Sequence, residues 1–174
     1  MSNRRIRTRA EALLEQLDMR SVPIDVHRIA RELRLRIVTA NLGAGVSGLL
    51  VQKPGAPTVI CVHEGDPILR QRFTIAHEIG HHHLGHTLQG DAQIHVDRGI
   101  VAQRTARSSE GVDLSCVEAN QFAASLLMPA ELIRARAAEL AQGPLLDVHL
   151  SALAAEFQVS EQAMAIRLVT LELI

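Results

Sequence analysis

The 174-residue chain has no tryptophan and no tyrosine, and its aromatic carbocycles are three phenylalanines. A base-stacking platform needs aromatic rings on an open face, so this composition argues against single-strand nucleic-acid binding. The missing phenols also remove tyrosine as a general acid or oxyanion donor. A core without large rings has to come from Leu, Ile, Val and Ala, which suits packed helices. Cysteine is scarce too. Cys61 and Cys116 form neither a disulfide framework nor a C-x-x-C pair, and they read as reduced thiols of a cytosolic protein. No apolar run follows the N-terminal Met-Ser-Asn-Arg-Arg, as a secretory signal would require. No stretch of about 18 apolar residues could cross a bilayer. These absences predict a cytoplasmic protein with no membrane contact. Net charge is −1, so no global field steers the chain toward nucleic acid or an anionic surface. Lysine is nearly absent: Lys53 stands beside 17 arginines, a trait of GC-rich bacterial genes.

The remaining composition is globular. Hydrophobic residues make up 47% and charged residues 21%, which excludes a mostly disordered chain. A chain of this length forms about one domain and buries roughly 70% of its unfolded surface.

Apolar spacing at Ile6, Ala10, Leu13, Leu14 and Leu17 predicts a helix over 5–19, ended by Pro23. A second runs from Asp25, its N-cap, to Leu33. Residues 1–36 carry nine Arg against five acids, a solvated face or a docking surface for an acidic partner. The texture then changes. Residues 35–40, 46–52 and 58–62 are short, β-branched and separated by Gly and Pro, which predicts a small antiparallel sheet of about three strands. Asp66 or Pro67 opens a long helix through Leu84. Residues 87–113 follow no period, and four helices are predicted beyond them, over about 114–128, 130–141, 147–157 and 160–171.

The long helix contains His77-Glu78-x-x-His81. At about 100° per residue, His77 and His81 lie about 40° apart and one turn separated, so two imidazoles on one face can grip a single Zn²⁺. Glu78 lies beside that point, where its carboxylate can take a proton from metal-bound water. Gly80 has no side chain and admits another backbone. A catalytic zinc takes a third protein ligand and keeps one position open. The best candidate is Glu118, because a carboxylate on an otherwise apolar helix is costly unless paired or metal-bound. Ala119, Ala123 and Leu126 form a neighbouring stripe that permits close packing.

Together, R-F-T-I-A-H-E-I-G-H (72–81) and E-A-N-Q-F-A-A-S-L-L-M-P (118–129) resemble the ImmA/IrrE family of bacterial zinc metallopeptidases, with similarity over roughly 20–170. The resemblance implies an α+β, zincin-like fold, with Zn²⁺ held by His77, His81 and Glu118 and with Glu78 as general base. It implies a zinc metallo-endopeptidase that cleaves a helix-turn-helix repressor, derepressing stress-response or mobile-element genes. The organisation expected is a metallopeptidase domain over 1–145, including the N-terminal helices, and a helix-turn-helix-like unit over 146–174 packed on it.

Other residues carry weaker signals. His82 and His86 are also four apart but have no base between them, which suits supporting or core roles. His63, His95 and His149, and Arg98, Arg104 and Arg107, are candidate oxyanion stabilisers that spacing cannot rank. The 87–113 segment is expected to border the substrate groove, with Ile94–Val96 able to pair with a substrate backbone as an added strand. The C-terminal unit has Ser160 as an N-cap. Its second helix offers only Arg167 and Gln162 against Glu161, which suits packing or protein docking rather than DNA reading.

Two other readings compete. In a non-enzymatic regulator the zinc is structural, a role marked by four closed ligands; Cys116 or a further His on the metal would favour it. In a protease-like toxin–antitoxin component, an uncleaved partner stays bound.

Overall fold

A computed structural model describes residues 1–86, 94–98, 114–141, 143 and 145–174, and of Arg98 the backbone alone. Most of the 87–113 segment, including Arg104 and Arg107, and the Pro144 break lie outside the described residues.

The chain opens with α1 (Asn3–Gln16), whose Ile6, Ala10, Leu13 and Leu14 are buried at the spacing the sequence predicts. The Oγ of Ser2 caps it. In α2 (Val26–Glu32), Asp25 Oδ1 accepts from Arg28 N at 2.9 Å, the expected cap. Strands β1 (Arg36–Ala40), β2 (Val46–Val51) and β3 (Val59–His63) follow, then α3 (Ile68–Leu84), which starts after Pro67. Then come β4 (Ile94–Arg98), α4 (Leu114–Leu127), α5 (Ala130–Leu140), α6 (Asp147–Phe157) and α7 (Glu161–Thr170).

The fold is α+β, and its sheet corrects two expectations. It has four strands in the order β1-β3-β2-β4, and it is mixed. β2 and β3 form an antiparallel hairpin, with Leu49 opposite Cys61, but β1 runs parallel to β3, with Val38 opposite Cys61. Apolar alternation marks a strand's faces and not its direction. Here the short 41–45 link carries the chain from β1 past β3 to β2. The fourth strand, antiparallel to β2, comes from the segment without period and includes the Ile94–Val96 stretch.

α3 lies across β2 and β3 on one side and against α4 on the other. Two glycines set those distances. A Cβ at Gly48 of β2 would fall 2.3 Å from Thr74 Cγ2 and 3.4 Å from Glu78 Oε1. A Cβ at Gly80 would stand 3.2 Å from the Cα and carbonyl oxygen of Ala119, so α3 and α4 touch backbone to backbone, as Gly80 and the alanine stripe suggest. Phe122, Ala123 and Leu126 of α4 are fully buried below this contact.

The C-terminal helices share the same core: Leu153, Phe157, Met164 and Leu168 join one cluster with α1, α3 and α4. Ser160 Oγ accepts from Ala163 N at 3.1 Å, the predicted cap of α7. Arg167 is buried, its Nε donating to the Met128 carbonyl at 2.9 Å. Arg72 of α3 donates to the carbonyls of Ile24 (3.0 Å) and Gln158 (3.3 Å), joining three distant stretches of chain. No helix among the described residues is long and apolar enough to cross a membrane.

Candidate metal centre

The second half of α3 carries the centre, and its burial is unusual for such polar residues. His77, Glu78 and His81 are 2%, 0% and 1% exposed. Helical periodicity explains this, since the face that presents them lies between β2 and α4. His77 Nε2 and His81 Nε2 stand 3.1 Å apart. His77 donates its Nδ1–H to Asn120 Oδ1 at 2.9 Å, which leaves Nε2 with a bare lone pair. His81 Nδ1 stands 3.0 Å from His86 Nδ1, and His86 Nε2 stands 3.1 Å from Glu118 Oε2. In the tautomer that carries its proton on Nδ1, His81 also turns a bare Nε2 toward His77. Burial holds both rings neutral: it pushes the His77 pKa down to about 4 and that of His81 far below its ordinary value. Two neutral imidazoles facing lone pair to lone pair, each backed through its other nitrogen, suit a divalent cation between them.

Glu78 sits beside this pair. Its Oε2 accepts from His95 Nδ1 at 3.1 Å, and its Oε1 is buried with no hydrogen-bond partner among the described residues. Burial pushes the carboxyl up to about 7, opposed by the hydrogen bond from His95. His95 is pulled down by its own burial. The hydrogen bonds to Cys116 and Glu78 outweigh that and hold it at about 10.

β4 supplies His95. Alternation on a strand turns His95 and Asp97 to one face and Ile94 and Val96 to the other. Asp97 is buried and accepts from Arg70 of α3 at 3.2 Å, which ties the strand to the helix that carries Glu78. Beyond Glu78, His95 Nε2 lies 3.4 Å from Cys116 Sγ, and the ring stacks on His81 with centroids 3.7 Å apart. One donor atom each from His77, His81, His95 and Cys116 lie within 4.8 Å of one another, as do atoms of His77, Glu78 and Asp97.

The sequence-predicted residues are thus brought to one place, with one displacement. Glu118 belongs to neither donor group. It reaches His81 through His86, and its other oxygen pairs with the Met1 ammonium. Of the lone histidines only His95 is here. His63 Nδ1 accepts from Leu42 N and His149 Nδ1 from Leu146 N. His82 takes a hydrogen bond from Gln52, and His86 supports the centre, in keeping with their expected roles. Sequence reasoning missed Asn120; its position two residues after Glu118, four after Cys116, was the available signal.

No curated protein matches the chain in sequence. A solved structure, a Mycobacterium tuberculosis transcriptional regulator, is similar in fold, with a TM-score of 0.61 at 18% identity. The match covers 95% of this chain and 46% of that one, so this chain spans about half its length. A family model described as the IrrE N-terminal-like domain, of peptidase family M78, matches residues 30–169. With that match over most of the chain and a buried His-Glu-His centre on α3, the chain belongs to the ImmA/IrrE metallopeptidase family.

Proposed function

We propose that the chain is a zinc-dependent endopeptidase whose substrate is a helix-turn-helix repressor. The observation that carries the enzymatic part is the arrangement at Glu78: a buried carboxylate with one oxygen held by His95 and the other without a partner among the described residues, beside two imidazole Nε2 atoms 3.1 Å apart. His77 and His81 hold the metal, and Glu118 is the third ligand of the hydrolytic state. Zinc there supplies Lewis-acid polarisation of a peptide carbonyl and acidifies a water.

The chain's own residues do the rest. Glu78 Oε1, which has no partner among the described residues, takes the proton from water and delivers it to the leaving amine. His95 fixes Oε2, so the carboxylate does not turn away. Asn120 orients His77, and His86 orients His81. β4 pairs with β2 on one side and is an edge among the described residues, with Ile94 and Val96 exposed. An extended substrate adds to that edge by main-chain hydrogen bonds, which brings its scissile bond alongside His95 and Glu78. The repressor as substrate rests on the family resemblance alone.

The test is cleavage of a purified repressor encoded beside the chain's gene, followed by mass spectrometry. Glu78→Gln is expected to keep the metal and to cut about 10²- to 10⁴-fold more slowly, the usual worth of a general base. Wild-type cutting by Glu78→Gln would remove Glu78 as the base. An intact repressor with zinc-loaded protein would remove the substrate assignment.

One observation favours a non-catalytic reading. His95 and Cys116 supply two further donors, enough to close the site around a metal that does no chemistry. That reading requires that no peptide or repressor be cut under any loading.

A further inference from the structure

We propose that Cys116 and His95 join His77 and His81 as a closed, four-donor site for a borderline-soft divalent cation such as Zn²⁺. This is a resting set, which must release its sulfur before Glu118 completes the hydrolytic one. The proposal rests on the metallopeptidase reading above.

The spacing of the donors suits it. Tetrahedral ligands about 2.0–2.3 Å from zinc stand roughly 3.3–3.8 Å from one another. The His77 and His81 Nε2 atoms are 3.1 Å apart, His95 Nε2 and Cys116 Sγ are 3.4 Å apart, and one donor atom from each of the four residues falls within 4.8 Å of the others. Each imidazole is also backed as a ligand should be. His77 is fixed through Nδ1 by Asn120 and His81 through Nδ1 by His86. His95 is fixed through Nδ1 by the Glu78 carboxylate, which turns its Nε2 toward the sulfur. A carboxylate behind a ligating imidazole fixes its tautomer and raises its basicity. In the resting set Glu78 is therefore the outer partner of a ligand.

Helix geometry sets Cys116 and Glu118 on different faces. Cys116 and Asn120 are four residues apart on α4 and share the face turned to His77 and His95. Glu118 lies about 160° around the helix from Cys116. Glu118 is turned to His86 and Met1, so it reaches the point between His77 and His81 only by leaving those partners. Four protein donors leave no position for water. The thiol and the His95 ring each give up a proton on binding, so loading the resting set releases protons.

Cobalt(II) is the probe, because zinc is d¹⁰ and silent in the visible range. The metal-free full chain titrated with Co²⁺ alone is expected to bind one equivalent with tetrahedral d–d bands and a sulfur-to-cobalt charge-transfer band in the near ultraviolet. The charge-transfer band is expected to vanish in Cys116→Ser and to persist in Cys61→Ser and in Glu118→Ala. Visible bands without the charge-transfer band in the wild type, or a band that survives Cys116→Ser, would overturn the proposal and leave the metallopeptidase reading standing. No cobalt bound at all would overturn both. Far-ultraviolet circular dichroism confirms that each variant is folded.

Discussion

Gly48→Ala measures how closely α3 is laid on the sheet. The added methyl falls 2.3 Å from Thr74 Cγ2, whereas two carbons rest about 3.5–4.0 Å apart, so more than an ångström must open. Thr74 has no exposed surface, and a β-branched side chain on a helix has few rotamers to escape into. The helix must lift, or the strand must bow. Overpacking of this kind costs about 1–3 kcal/mol. At about 2–4 °C per kcal/mol for a chain of this size, the melting temperature is expected to fall by about 2–12 °C. With no Trp or Tyr to report by fluorescence, far-ultraviolet circular dichroism is the assay. Thr74→Ala removes the obstructing methyl together with a buried hydroxyl that has no partner among the described residues, so alone it costs little. In the double variant most of the loss should return, as a coupling energy of about 1–3 kcal/mol. If Gly48→Ala melts like the wild type, or if Thr74→Ala fails to rescue it, the close contact is refuted. Because the same methyl lies 3.4 Å from Glu78 Oε1, hydrolysis should fall further than the lost stability explains.

Three further outcomes are expected. Asn120→Ala frees the His77 ring and should weaken zinc binding about 10- to 100-fold in competition with a chelator, while unchanged affinity would mean that this hydrogen bond does not set the ligand. Zinc at about a hundred times its Kd should raise the stability of the metal-free protein by about 2.7 kcal/mol, and His77→Ala should abolish that rise; a rise that persists would place the metal elsewhere. Arg167→Met strands the buried Met128 carbonyl and should cost about 1–3 kcal/mol in urea unfolding. Burial holds that guanidinium down at about 10, so a stabilised variant would mean that its desolvation outweighs its hydrogen bond.

Local periodicity was the part of this protein legible in its sequence. The 3.6-residue repeat located α1, α3 and α4 to within a few residues, and Asp25 and Ser160 marked caps through their own side-chain oxygens. His77, Glu78 and His81 were readable because one helix carries them at fixed angles. Gly80 was readable because a missing side chain inside a helix implies a close neighbour. Whatever depends on distant chain segments was not. The parallel pairing of β1 with β3 follows from how the chain crosses, which side-chain alternation does not record. His95 resembled His63 and His149 until the strand register aimed it at Glu78. Cys116 looked like an ordinary buried thiol because its partners lie on β4 and α3, and nothing in the spacing to Glu118 said which of the two faces the histidines.

The two hydrogen bonds of Arg72 have a mechanical consequence. One guanidinium grips the stretch before α2 and the turn between α6 and α7, from a position five residues upstream of His77. A partner that pulls on the C-terminal helical pair must either break a charge-assisted bond or drag the start of α3 with it. Because α3 is a single stiff rod from Ile68 to Leu84, a torque applied at that turn arrives at the other end as a displacement of the paired imidazoles. The turn between α6 and α7 is therefore geared to the chemistry.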